Sequence, residues 1–279
     1  MIEKTEKEIM QNWKGDLGKP VVSVYTITYN HEKYIAESID SFLIQETDFP
    51  FEIVIGEDCS TDGTRKIIEE YVEKYPNIIK LITSENNVGM QANGQRTMEA
   101  CKGQYIATCE GDDYWTDKNK LQIQKDFLES NPEYIICYTD VEAFNENGII
   151  QDYIGGATKD LTADELKKAT PINTLTTMYR NIMKDKFSIE FKASKYGDLF
   201  IWSILGYYGK GKYLSEIKPS RYRVHLGGVH SGSSQIDKYD NALITYSLLL
   251  SYHKKIGSSH IVEYFRQEIL WLLLRNNFK

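Results

Sequence analysis

Four short apolar runs dominate the first half of this 279-residue chain: residues 21–28, 51–56, 78–83 and 105–109. Each is rich in β-branched or aromatic residues, free of proline, and followed by a segment of helical spacing. Ile35, Ile39, Phe42 and Leu43 mark one helical face, and Ile67, Ile68, Tyr71 and Val72 mark the next. A third helix is expected over 90–101. The first run, VVSVYTIT, is apolar on both faces, as in the middle of a parallel sheet. Four strand–helix alternations with short connections predict an α/β fold, a mostly parallel sheet flanked by helices and joined by right-handed crossovers. In such sheets ligands bind beyond the carboxyl ends of the strands.

Polar residues cluster at three of those ends: Thr28-Tyr29-Asn30, Glu57-Asp58 and Glu110-Gly111-Asp112-Asp113. Three carboxylates within four positions repel and raise one another's pKa unless a cation lies between them. A solvated acidic turn is one reading of such a cluster. The other is a site for Mn²⁺ or Mg²⁺, cations that take one or two protein carboxylates and fill their remaining positions with water and phosphate oxygens. Three clusters converging on one sheet edge favour the second.

The net charge of −7 argues against a non-specific nucleic-acid binder, and the first half shows no basic stripe with interleaved aromatics. The four cysteines, Cys59, Cys101, Cys109 and Cys137, match no zinc spacing. The polar first twenty residues lack the apolar core of a secretory signal, and no run of eighteen apolar residues occurs. A reduced, cytoplasmic protein is the expectation.

The second half is less regular. A helix is expected over 119–128, strands over 135–141 and 172–180, a polar excursion over 151–170, and a helix opening at Asp198 after Gly197. Residues 213–224 read as extended, and a glycine- and serine-rich loop follows to 234. From 240 onward the pattern is helical.

The turn after the first strand holds no glycine, so the GxGxxG of a dinucleotide fold is absent, as is the GxxxxGK[ST] of a P-loop. The carboxylates after the fourth strand point instead to a nucleoside diphosphate held through a cation. VSVYTITYNHEKYIAESIDSF, FEIVIGEDCSTDGT, ENNVGMQANGQRTMEACKGQYIATCEGDDYW and KLQIQKDFLESNPE together resemble glycosyltransferase family 2, of GT-A fold, and the bacterial enzymes that build O-antigen, capsule and other surface polysaccharides. The match is strong over 21–140 and looser to about 230.

The resemblance implies roles. Thr28, Tyr29 and Asn30 would hold the nucleoside, and Asp58, with Glu57 before it, the base. Glu110-Gly111-Asp112 stands for the DxD motif, with Asp112 the main metal ligand for Mn²⁺ or Mg²⁺; Glu110 replaces the usual Asp. Arg96 would reach the diphosphate, with a surface ion pair as the alternative reading. His225, in the YRVH step, would complete the metal or diphosphate site, with His230 second. Asp198 would take the proton of the acceptor hydroxyl, although a helix N-cap is the alternative reading. Asp113, Trp115, Thr177 and Arg180 would face the acceptor, together with Thr176; Trp115 reads equally well as core.

The implied reaction moves a hexose or N-acetylhexosamine, with inversion, from a UDP-sugar to a hydroxyl of a glycan or lipid-linked oligosaccharide. A dTDP- or GDP-sugar donor is the alternative, and a catalytically inactive glycan-binding domain is the non-enzymatic one. A nucleotidyltransferase would show a GxGxR-type loop after strand one, which is missing. The domain expected is residues 1–235, with a nucleotide-sugar part over about 20–141 and an acceptor part over about 142–235. Residues 236–279 would form a C-terminal helical extension. There, basic residues and Ile269 to Leu274 suit either a membrane-interface helix at the inner face of the cell membrane or an ordinary packed helix.

Overall fold

The computed structural model describes residues 2–153, 155–183, 186–228 and 231–276. After a short helix α1 (Glu6–Met10), strands and helices alternate as expected: β1 (Val22–Thr28), α2 (Ile35–Leu43), β2 (Phe51–Glu57), α3 (Thr64–Lys74), β3 (Ile79–Ile82), α4 (Met90–Ala100) and β4 (Tyr105–Thr108). Then come α5 (Lys120–Ser130), β5 (Tyr134–Tyr138), β6 (Val141–Asn145), β7 (Gly148–Ile149), α6 (Ala163–Lys167), a 3₁₀ turn (Thr174–Thr176) and β8 (Met178–Arg180). The chain closes with α7 (Ile189–Ala193), α8 (Gly197–Leu205), β9 (Lys210–Tyr213), β10 (Ser220–Arg223), α9 (Gln235–Lys255) and α10 (Ser259–Asn276).

The described residues form a central sheet in the order β3-β2-β1-β4-β8-β5-β9, parallel except for β8. Side chains alternate between its two faces. Ile53 and Ile55 of β2 join one core with Phe42, Tyr71 and Leu121, while Val54 joins the other with Met98, Ile106 and Trp202. A smaller sheet, β10-β6-β7, lies beside the segment that follows β4, where Tyr114 pairs with Arg221.

The expected strand over 172–180 is a 3₁₀ turn followed by only three residues of strand. The expected strand over 135–141 divides between β5 and β6, and the extended stretch over 213–224 is the end of β9, a loop and β10. The C-terminal pattern divides at Gly257, whose φ of +77° suits a residue without Cβ. The helices on either side share the second core through Leu249, Ile261 and Phe265. No described helix is long and apolar enough to cross a membrane. All four cysteines are free, three of them buried.

Candidate active site

The carboxyl ends of β1, β2 and β4 open into a cleft of about 910 Å³, walled on the far side by α7, α8, α9 and α10. Thr28, Tyr29, Asp58, Glu110, Asp112, Asp113 and Asp198 all line it.

Asp112 is the centre of the polar cluster. Its Oδ2 lies 3.0 Å from His225 Nε2 and 3.7 Å from His31 Nε2. Strand β10 delivers His225: Arg221 pairs with Tyr114, and two residues on, Arg223 N donates to Asp113 Oδ1 at 2.7 Å. The Arg223 side chain continues the tie. Its Nε donates to the Asp112 carbonyl at 2.8 Å, its Nη2 pairs with Glu37, and its guanidinium lies 4.7 Å over Tyr34 and 4.5 Å over Phe144. One arginine thus joins α2, β6 and both aspartates.

The three carboxyl groups differ in charge. Burial pushes Glu110 up to about 8, with the neighbouring Asp112 charge adding to it and Asp198 contributing further. Burial also raises Asp113 well above the carboxylate range, followed by Asp112 and Glu110. For Asp112 burial works upward too, but the His225 hydrogen bond and the imidazoles outweigh it and hold the group ionised. This is the like-charge behaviour the sequence predicts.

The donor set, one ionised carboxylate 3.0 Å from an imidazole nitrogen, suits Mn²⁺ and accommodates Mg²⁺. Among the described residues His31 Nδ1 and Thr28 Oγ1, both buried beside this cluster, find no hydrogen-bond partner, which leaves them polar capacity to satisfy. Among the described residues no three His, Cys, Asp or Glu side chains converge into a complete cage. A cation held by Asp112 and His225 would take its other ligands from water and a diphosphate.

Asp198 is the second residue of α8, after a cap position at Tyr196, so it is not the N-cap. Burial raises its pKa against the pull of the Leu199 N–H and its own backbone N–H. A carboxylate poised closer to neutrality is a better general base.

Several expected site residues do other work. Both Asp58 oxygens cap the turn into α4, accepting from Val88 N and Gly89 N at 2.9 Å, although the residue still lines the cleft. Glu57 is fully buried behind it, accepting from Ser60 N and pairing with Arg65 Nε at 2.6 Å, so it builds the turn and does not face the cleft. Arg96 is turned inward. Its Nη2 donates to the Glu57 carbonyl and Asn93 Oδ1 and lies 3.7 Å from Asp58, and the residue is not part of the cleft lining. Asn30, at φ +57°, binds Ser60 and Thr61, stitching the first turn to the second. Gly111 is packed so closely that a Cβ there would meet Thr28 at 2.8 Å.

The acceptor-facing expectations for Trp115, Thr177 and Arg180 are corrected by their positions. Trp115 is core: it packs against Phe42, and its Nε1 donates to the Leu175 carbonyl at 2.8 Å. Thr177 is buried against Thr108, with Oγ1 atoms 2.6 Å apart. Thr176 is likewise buried, its carbonyl accepting from Lys120 and Gln124. Arg180 lies at the opposite sheet edge, because β8 runs antiparallel and pairs it with Tyr105; there it donates to the Leu128 and Tyr134 carbonyls. Asp113 lines the cleft but is fixed by the Arg223 backbone. His230 lies outside the described residues.

His31 and Arg223 are the residues that sequence reading passed over. Both lie inside quoted motifs, TYNHE and YRVH, and only the contacts to Asp112 and Asp113 distinguish them from ordinary turn and strand residues.

The model of glycosyl transferase family 2 matches residues 23–187, more than half of the chain. The uncharacterized protein Rv1520 of Mycobacterium tuberculosis is 39% identical over 161 residues, covering 57% of this chain and 46% of that one. TuaG of Bacillus subtilis, named for teichuronic acid biosynthesis, is 35% identical over 61% of this chain and 64% of its own. The Escherichia coli UDP-Glc:α-D-GlcNAc-diphosphoundecaprenol β-1,3-glucosyltransferase WfgD is 29% identical over 65% of this chain and 68% of its own. The chain thus spans about half to two thirds of the length of these relatives. Among solved structures, S. aureus TarS 1-349 with UDP-GlcNAc superposes with a TM-score of 0.61 at 22% identity, covering 82% of this chain and 66% of that one. The mannosyltransferase PcManGT of Pyrobaculum calidifontis, with GDP-Man and Mn²⁺, gives 0.64 at 15% identity, covering 96% and 77%. At such identities these two establish the shared fold alone, a mostly parallel sheet flanked by helices. With a family model covering most of the sheet and the whole carboxylate cluster, the chain belongs to glycosyltransferase family 2.

Proposed function

We propose that the chain is a metal-dependent, inverting glycosyltransferase that moves a hexose or N-acetylhexosamine from a UDP-sugar to a hydroxyl of a lipid-linked glycan in surface-polysaccharide synthesis. The observation that carries this is Asp112, paired with His225, lining the same cleft as the raised carboxyl of Asp198. Thr28, Tyr29 and Asp58 line the part of the cleft where a nucleoside would lie. Asp112 and His225 would hold the cation, with His31 and Arg223 keeping Asp112 in place. When bound, Mn²⁺ or Mg²⁺ would supply Lewis-acid stabilisation to the leaving diphosphate. Asp198 would accept the proton of the acceptor hydroxyl as that oxygen attacks the anomeric carbon from the opposite side. The names of WfgD and TarS support a UDP-linked donor, and that of WfgD a diphosphate-lipid acceptor. This acceptor suits a cytoplasmic enzyme working at the inner face of the membrane.

The test is calorimetric titration of UDP, GDP and dTDP, with and without Mn²⁺, into wild type and Asp112→Ala. UDP binding that needs the metal and disappears in Asp112→Ala is the expected result. Preference for GDP would move the donor reading to a GDP-sugar, and no nucleotide binding at all would remove it. Asp198→Asn is expected to bind UDP normally and to lose about 10²–10⁴-fold in turnover, the usual contribution of a general base.

A further inference from the structure

Beyond Asp198 the cleft changes character. Its far wall is built from Phe187, Phe191, Ile201, Trp202, Tyr246 and Leu272, side chains of α7, α8, α9 and α10 or, for Phe187, of the segment leading into α7. A nucleotide sugar has no use for such a surface. Phe191, Trp202 and Leu272 are nearly buried already, so Phe187, Ile201 and Tyr246 are the part that a ligand would cover, at a gain that scales with apolar area.

Two further observations say what fits. Lys195 and Lys238 also line the cleft, and among the described residues neither ammonium has a carboxylate partner. The segments that carry them meet, because the Tyr196 hydroxyl donates to the Lys238 carbonyl and Tyr196 N donates to Thr245 Oγ1. Unpaired cations at the border of an apolar wall are complementary to phosphate. On α10, Leu272 faces the cleft while its neighbours Leu270, Trp271, Leu273 and Leu274 are 57%, 48%, 46% and 53% exposed. At about 100° per residue these four occupy the other faces of the same helix end, which is therefore apolar over a full turn.

We infer that this wall is a subsite for the lipid phosphate of the acceptor. The sugar lies at Asp198, its diphosphate or phosphate lies against Lys195 and Lys238, and the hydrocarbon chain runs over Phe187, Ile201 and Tyr246 and past Leu272 to leave along α10. This rests on the glycosyl-transfer reading of Asp198, and it assigns the acceptor's phosphate and chain to named residues.

Farnesyl diphosphate, inorganic diphosphate and farnesol are titrated calorimetrically into the full chain saturated with UDP and Mn²⁺, so that the donor site is blocked. Farnesyl diphosphate is expected to bind at least tenfold more tightly than either control. The Lys195→Ala/Lys238→Ala double variant and Leu272→Asp are each expected to weaken it at least tenfold, with UDP affinity unchanged. Equal affinity for farnesyl and inorganic diphosphate would overturn the inference, as would farnesyl binding untouched by the lysine pair. Leu272 is nearly buried and its replacement could loosen α10, so the lysine pair on the open side of the cleft decides. If UDP fails to bind wild type, the donor reading falls, while the lipid titration without nucleotide still reports on the wall.

Discussion

His253 offers the most quantitative check on how the C-terminal helices are held. It is fully buried on α9, stacked on Phe265 of α10 with ring centroids 5.6 Å apart. Its Nε2 is 2.7 Å from Ser203 Oγ on α8, and its Nδ1 is 2.8 Å from the Tyr207 hydroxyl. Ser203 spends its own proton on the Lys167 carbonyl, so its oxygen must accept from Nε2–H, and Nδ1 must accept from Tyr207; the network selects this neutral tautomer. Burial, with the nearby His260 and Lys167 charges, lowers the pKa from 6.5 to about 4. The unfolded chain therefore takes up a proton near 6.5 that the folded chain refuses until about 4. The stability His253 contributes is complete above pH 6.5 and is lost as pH falls toward 4. At 1.36 kcal/mol per unit, that gap is worth about 3 kcal/mol. Glu110, raised to about 8, acts in the opposite sense over the same range, so the raw pH curve mixes the two. The readout is the difference between wild type and His253→Gln in urea unfolding at pH 7.5, 6.5, 5.5 and 4.5. At pH 7.5 the variant is expected to be less stable by about 2 kcal/mol, from two disturbed buried hydrogen bonds. That deficit should shrink by about 1.4 kcal/mol per unit below 6.5, vanish at about pH 5 and turn into a small advantage for the variant at pH 4.5. A deficit that stays constant with pH would refute the buried neutral imidazole.

Two further variants probe the carboxylate cluster. Arg223→Met removes the bond to the Asp112 carbonyl and the Glu37 pair but leaves the backbone N–H on Asp113; it should weaken metal-dependent UDP binding in calorimetry about tenfold, and unchanged affinity would remove Arg223 from the site. Gly111→Ala would drive a methyl into Thr28 and Ile35, whose atoms lie 2.8 and 3.0 Å from the added carbon; overpacking of this kind should cost about 1–3 kcal/mol in urea unfolding, and a wild-type midpoint would show that the turn can yield.

Much of the candidate site was readable because its parts are local. Asp58, Glu110, Asp112 and Asp198 each sit at the end of a strand or the start of a helix, and short apolar runs with polar endings mark such positions without knowledge of the fold. His225 was readable from the YRVH step, although what it touches was not. The misplaced residues failed for one shared reason. Glu57, Arg96 and Asn30 have the right chemistry at the right loop, but neighbouring loops consume it: Ser60 and Arg65 for Glu57, Asn93 and the Glu57 carbonyl for Arg96, Ser60 and Thr61 for Asn30.

The alternation of apolar runs by itself determined the parallel sheet, the edge that carries the site and the carboxylates that face the cleft, because strand and helix periods are written residue by residue. Tertiary structure alone decided the direction of β8, which carries Arg180 to the wrong edge and buries Thr177. It also decided the docking of β10, which brings Arg223 and His225 across more than a hundred residues to Asp113 and Asp112. The packing of α9 and α10, which turns Lys238, Tyr246 and Leu272 into a wall of the cleft, was settled there too. Such pairings depend on which surfaces meet, and no local window of sequence contains both partners.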